Sequence, residues 1–134
     1  MFRLGDKLDE KKIKNLNPIV LAFVGDAVYS LFIRERLAFY SDAKTGELNK
    51  MATNEVKATA QARFITEIME ILTDDELAVF KRARNAKKTT RAKHASIVEY
   101  NLSTGFEAVI GYLYLKGDID RLNFILNKGI IDED

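Results

Sequence analysis

From Ile19 to Ile33 the chain is apolar almost without a break, in "IVLAFVGDAVYSLFI", and no period-2 alternation replaces that run. Asn17 followed by the single proline, Pro18, makes an N-cap and first-turn pair, so the pattern predicts a helix from Pro18 to about Tyr40. Between Glu47 and Leu72, "ELNKMATNEVKATAQARFITEIMEIL" is alanine-rich and spaced for one or two further helices. Thr73, Asp74, Asp75 and Glu76 form a capping box ahead of "LAVFKRAR". Ser103 can cap "TGFEAVIGYLYL", and Asp118 can cap "IDRLNFILNK", which is expected to stop at Gly129. No strand pattern, internal repeat, low-complexity tract or linker interrupts this succession. The expectation is one all-α domain over residues 1–134.

Composition agrees with that picture. At 134 residues and 47% hydrophobic, the chain can bury a real core in one domain, and a second domain is not expected. It has no cysteine, which removes disulfides and thiolate metal sites. The start, "MFRLGDKLDEKKIK", is charged throughout and has no apolar stretch of signal-peptide length, so a cytoplasmic location is expected. The long apolar run is broken by Asp26 and closed by Arg34, Glu35 and Arg36, short of the roughly 20 residues of a membrane helix.

Charge changes the picture more. The net charge is only +1, yet "KRARNAKKTTRAK" from Lys81 to Lys93 holds seven of the 21 basic residues and no acid. The remainder then carries 14 basic against 20 acidic side chains, a balance of −6. A basic island on an acidic body is the footprint of a polyanion site, or else a solvated loop.

Two acids stand out against their surroundings. Asp26 lies in "FVGDAVY" and Glu107 in "GFEAVIGYLYL", each in an apolar helical pattern, near a glycine and followed by Ala-Val. An unpaired ionised carboxylate among apolar residues carries a desolvation cost of several kcal/mol, on the order that only a partner can offset. Gly25, a poor helix former, marks close approach by another backbone or a ligand. If the two helices pack side by side, the carboxylates converge and repel unless a cation lies between them, and magnesium suits such hard oxygen ligands. The alternative is that each acid pairs separately with a core arginine or caps a neighbouring helix.

"LAFVGDAVYSLFIRERL" resembles the signature helix of the ribonuclease III family, and "STGFEAVIGYLYL" resembles that family's second acidic helix. The intervening "GELNKMATNEVKATAQA" and "RARNAKK" are similar to the compact Mini-III branch, which lacks the family's C-terminal double-stranded-RNA-binding domain. The resemblance extends from about Asn17 to Gly129. It implies an all-helical ribonuclease III-type domain that forms a homodimer and cleaves double-stranded RNA with magnesium, leaving 5′-phosphate and 3′-hydroxyl ends. Asp26 and Glu107 become the metal-binding catalytic residues. Full-length members of the family carry two further acids, where this chain has Ala22 and Thr104; the Mini-III branch is similar to this sequence in keeping only two.

The same resemblance implies a role in maturing precursor large-subunit (23S) ribosomal RNA, and puts the aromatic side chain of Phe23 at the subunit contact; an ordinary core phenylalanine is the alternative. The basic island supplies the candidate RNA-binding residues Arg82, Arg84, Asn85, Lys87, Lys88, Arg91 and Lys93, since duplex RNA is bound mainly through shape and charge. Asn85 capping the preceding helix and Arg82 facing its own acidic turn are the structural alternatives. His94, at the island's edge, reads as a surface or RNA-backbone contact. Tyr29, Tyr112 and Tyr114, at helical spacing, read as core. The competing function is a non-catalytic duplex-RNA-binding or ribosome-associated module, kept open by Ala22 and Thr104.

Overall fold

The computed structural model describes residues 9–40, 44–56, 58–88 and 96–131. Among these residues there are seven α-helices, one 3-10 turn and no strand. They are α1 (Glu10–Lys14), α2 (Pro18–Tyr40), α3 (Thr45–Val56), α4 (Ala58–Ile68), the 3-10 turn Met69–Ile71, α5 (Asp74–Asn85), α6 (Ile97–Lys116) and α7 (Ile119–Ile131). None of them is long and apolar enough to cross a membrane.

Local hydrogen bonds account for most of the boundaries. The Asn17 side chain accepts from the Ile19 amide at 2.9 Å and starts α2 at Pro18, as the sequence predicts. Thr73 and Glu76 close a reciprocal capping box at 3.2 and 2.9 Å and start α5. The expected start of α6 is corrected. Ser96 and Glu99 form a second capping box, so the helix begins two turns before Ser103, which falls inside it and is buried. At the other end, Gly117 takes a left-handed conformation at φ 82°, and the Gly117 and Asp118 amides return to the Leu113 carbonyl. Asp118 then caps α7, which runs past Gly129 to Ile131. The short helix α1 has no counterpart in the sequence-based expectation.

Helix α6 is the axis of the domain, packing against α1, α2, α4, α5 and α7. That central place explains why its sequence is apolar on nearly every side, since a helix enclosed by others has no solvent face. Phe106, Val109, Ile110, Tyr112 and Leu113 are fully buried there, joined by Leu21 of α2, Ile65 of α4, Phe80 of α5 and Ile125 of α7. Tyr29, Phe64 and Phe106 bring α2, α4 and α6 together as an aromatic trio with centroids 5.0 to 6.3 Å apart. Tyr29 and Tyr112 are thus core, and Tyr114 is partly buried. Glu76, also buried, takes two 2.8 Å bonds from Arg121, which donates in addition to the Ile71 carbonyl at 2.6 Å, tying α7 to α5 and the 3-10 turn.

Candidate active site

Helices α2 and α6 cross where each carries a glycine. A Cβ on Gly25 would overlap the Glu107 carbonyl oxygen and stand 2.8 Å from the Gly111 nitrogen. One on Gly111 would overlap the Leu21 carbonyl oxygen and stand 3.0 Å from the Gly25 nitrogen. Backbone therefore lies on backbone, as expected of Gly25. This contact brings the carboxyls of Asp26 and Glu107 within hydrogen-bonding reach of each other.

The burial of the two acids differs from expectation. Asp26 is exposed, because α2 buries only one side, through Leu21, Ala22, Gly25, Tyr29 and Ile33. Its opposite stripe, with Val20 45%, Phe23 80% and Leu31 44% exposed, is left uncovered by the other helices. Phe23 is accordingly not a core residue. Desolvation falls on Glu107 instead: burial first, then the hydrogen bond and negative charge of Asp26, push its carboxyl up to about 9, while the Ser103 hydroxyl pulls the other way. Without a cation the pair holds a proton at neutral pH.

Glu76 shows what a structural acid looks like in the same protein. Burial pushes its carboxyl up, but the hydrogen bonds and charge of Arg121, with the Thr73 amide, outweigh this and hold it below its ordinary value. Among the described residues, no ion pair reaches Asp26 or Glu107. Among those residues, pairing with a core arginine does not account for them. Two hard oxygen donors in mutual reach fit magnesium, which commonly binds one or two carboxylates and keeps its waters. Among the described residues no third His, Cys, Asp or Glu joins them. Ala22 and Thr104 are both buried, and the Thr104 hydroxyl is spent on the Tyr100 carbonyl at 2.8 Å.

The basic island divides into residues with structural duties and residues facing solvent. Arg82 donates to the Lys14 carbonyl at 2.7 Å and the Leu16 carbonyl at 3.3 Å, so it anchors the end of α1 and does not face its own acidic turn. Arg84 lies 5.7 Å over the Phe80 ring and donates to the Asn85 side chain at 3.1 Å. Asn85 is the last residue of α5, and the cap position falls to Ala86. Lys88 closes that end by donating to the Arg84 and Ala86 carbonyls at 3.0 and 2.8 Å. Lys81 and Lys87 are exposed. Arg91, Lys93 and His94 lie outside the described residues.

Two buried polar side chains beside Glu107 escape the sequence reading. Ser103, one turn before Glu107, donates to the Gln61 side-chain oxygen and stands 3.4 Å from the Glu107 carboxyl. Gln61 is 1% exposed and shares its face of α4 with the buried Ile65 and Ile68. A glutamine at a core register position was the available signal.

Residues 19–118 match the Ribonuclease III domain. A Mini-ribonuclease 3 from Clostridium tetani is 47% identical over 126 residues, spanning 93% of this chain and 83% of that protein. One from Streptococcus pneumoniae is 45% identical over 114 residues, spanning 84% and 89%. A crystal structure of a Fusobacterium nucleatum protein has a TM-score of 0.82 at 30% identity and covers 92% of this chain and 98% of its own. The match takes in both acidic helices and their glycine crossing, and the chain belongs to the ribonuclease III family, among its Mini-ribonuclease 3 relatives.

Proposed function

We propose that this endoribonuclease of the ribonuclease III family cleaves double-stranded RNA with magnesium held by Asp26 and Glu107, leaving 5′-phosphate and 3′-hydroxyl ends. The observation that carries the reading is the acid pair itself, two carboxyls in mutual reach with Glu107 pushed up to about 9 and, among the described residues, no ion pair to either. A bound magnesium ion would supply a polarised water for attack on the phosphodiester and offset charge on the phosphoryl oxygens. Asp26, open to solvent, presents the accessible side of the site, and Glu107 its half-buried wall.

Within the basic island, Lys81 and Lys87 are the described lysines left exposed to meet phosphates, with Arg84 and Lys88 beside them and Arg91 and Lys93 following in sequence. Arg82 is left out of this set by its bonds to α1. Val20, Phe23 and Leu31 form an uncovered apolar stripe at helical spacing next to Asp26, which supports a homodimer with two sites for the two strands of a duplex. By family resemblance the natural substrate is precursor large-subunit ribosomal RNA in the cytoplasm.

The test is cleavage of a generic RNA duplex by the purified protein, with and without magnesium, beside Asp26→Asn. Magnesium-dependent cutting should fall by orders of magnitude in the variant while duplex binding survives, and the variant should be at least as stable as the parent in chelator. Undiminished cutting by Asp26→Asn refutes the assignment. Duplex binding without cutting at any magnesium concentration favours the non-catalytic binding module.

A further inference from the structure

Behind the acid pair, Gln61 of α4, Ser103 of α6 and Glu107 form a continuous polar chain in an otherwise apolar contact. Gln61 and Ser103 are 1% and 4% exposed, and Phe64, Ile65 and Ile68 fill the same side of α4. The Gln61 side-chain nitrogen has no hydrogen-bond partner among the described residues. An apolar side chain would fill this space with no such cost, so the amide calls for an explanation beyond packing.

Ser103 has one hydroxyl proton and two acceptors in reach, the Gln61 oxygen and the Glu107 Oε1 at 3.4 Å. It cannot serve both. Turning the Gln61 amide about its last bond directs the N–H to the Ser103 oxygen and releases the serine proton for the Glu107 carboxylate. That exchange replaces an unpaired donor by an unpaired carbonyl oxygen, the more tolerable of the two.

We infer that Gln61 and Ser103 are positioning residues, the amide orienting the serine and the serine orienting the Glu107 carboxylate toward the ion. Glu107 is a long side chain reaching a site with one other carboxylate among the described residues, and Ser103 stands 3.4 Å from one oxygen of the same carboxyl that meets Asp26. Groups that hydrogen-bond a metal's ligands from behind are typically worth about 10- to 100-fold in affinity. The inference rests on the magnesium reading of Asp26 and Glu107 given above.

The probe is manganese(II) alone, whose free aquo ion is counted by electron paramagnetic resonance during titration of the full chain and of Asp26→Asn, Gln61→Met, Ser103→Ala and the Gln61→Met/Ser103→Ala double variant. Gln61→Met and Ser103→Ala should each weaken binding by about tenfold or more. The double variant should bind like Ser103→Ala alone, because Gln61 acts only through the serine; a purely structural role predicts no such equality. At saturating metal the KM for RNA should stay unchanged in both single variants. Binding by folded Gln61→Met at the parent's affinity, or losses that multiply in the double variant, overturns the inference. Should Gln61→Met fail to fold, Ser103→Ala decides it alone, with parental affinity counting against. A parent that binds no more tightly than Asp26→Asn removes the magnesium reading itself, and this inference with it.

Discussion

The raised Glu107 carboxyl makes a quantitative demand on stability. Its ordinary value of 4.5 applies to the unfolded chain and about 9 to the folded one, so between those limits the folded protein keeps a proton that the unfolded protein releases. Stability must therefore fall as pH rises through that window, by at most about 1.4 kcal/mol per pH unit. From about pH 5 to about pH 8 the ceiling is on the order of 4 kcal/mol, and water entering beside the half-open pair lowers it. Glu107→Gln removes the titration while keeping the neutral shape. The assay is urea unfolding of parent and variant in chelator at several pH values, where titrating groups not coupled to the acid pair cancel in the difference. The variant should gain on the parent steadily as pH rises, and even about 1.5 kcal/mol moves the urea midpoint by on the order of 0.5–1 M. Magnesium should flatten the parent's curve, since the ion takes the proton's place. A parent–variant difference that is constant with pH in chelator would refute the coupled acid pair.

Three further outcomes follow from the geometry. Gly25→Ala places its Cβ against the Glu107 backbone and should lower both the melting temperature and RNA cleavage, whereas Gly46→Ala, with nothing within 4 Å, should gain up to about 1 kcal/mol; equal melts for the two would contradict the close crossing. Lys87→Ala should weaken duplex binding and flatten its salt dependence by about one unit of log–log slope at unchanged stability, while Arg82→Ala should cost about 1 kcal/mol of stability by freeing the end of α1; filter binding across salt and thermal melts separate them, and the reverse pattern would undo the division of the basic island. Phe23→Asp should yield a monomer in sedimentation that melts no more than a few degrees lower, as expected for a side chain 80% exposed in the single chain; a variant that sediments like the parent excludes this stripe from the dimer contact.

Some of these features could be read along the chain. Asn17 with Pro18, and Thr73 with Glu76, start helices through bonds spanning two or three residues, so neighbouring residues determine them. The acids were legible for a similar reason: an isolated carboxylate in an apolar run near a glycine breaks the pattern of its neighbours, whichever side of the helix is later covered. The same local logic failed at Ser103, because a serine before an apolar run resembles a cap until the upstream pair Ser96 and Glu99 is recognised as the true one.

Only the tertiary structure decided which side of α2 would be covered, and hence that Asp26 is open while Glu107 bears the desolvation. It also decided that Arg82 reaches back 68 residues to Lys14, and that Gln61 meets Ser103 across 42. Hydrogen bonds within a helical turn are fixed by adjacent residues, but burial and long-range partners depend on what the rest of the chain lays against a side chain. The sequence by itself therefore determined that Asp26 and Glu107 were out of place, and packing alone determined that they meet.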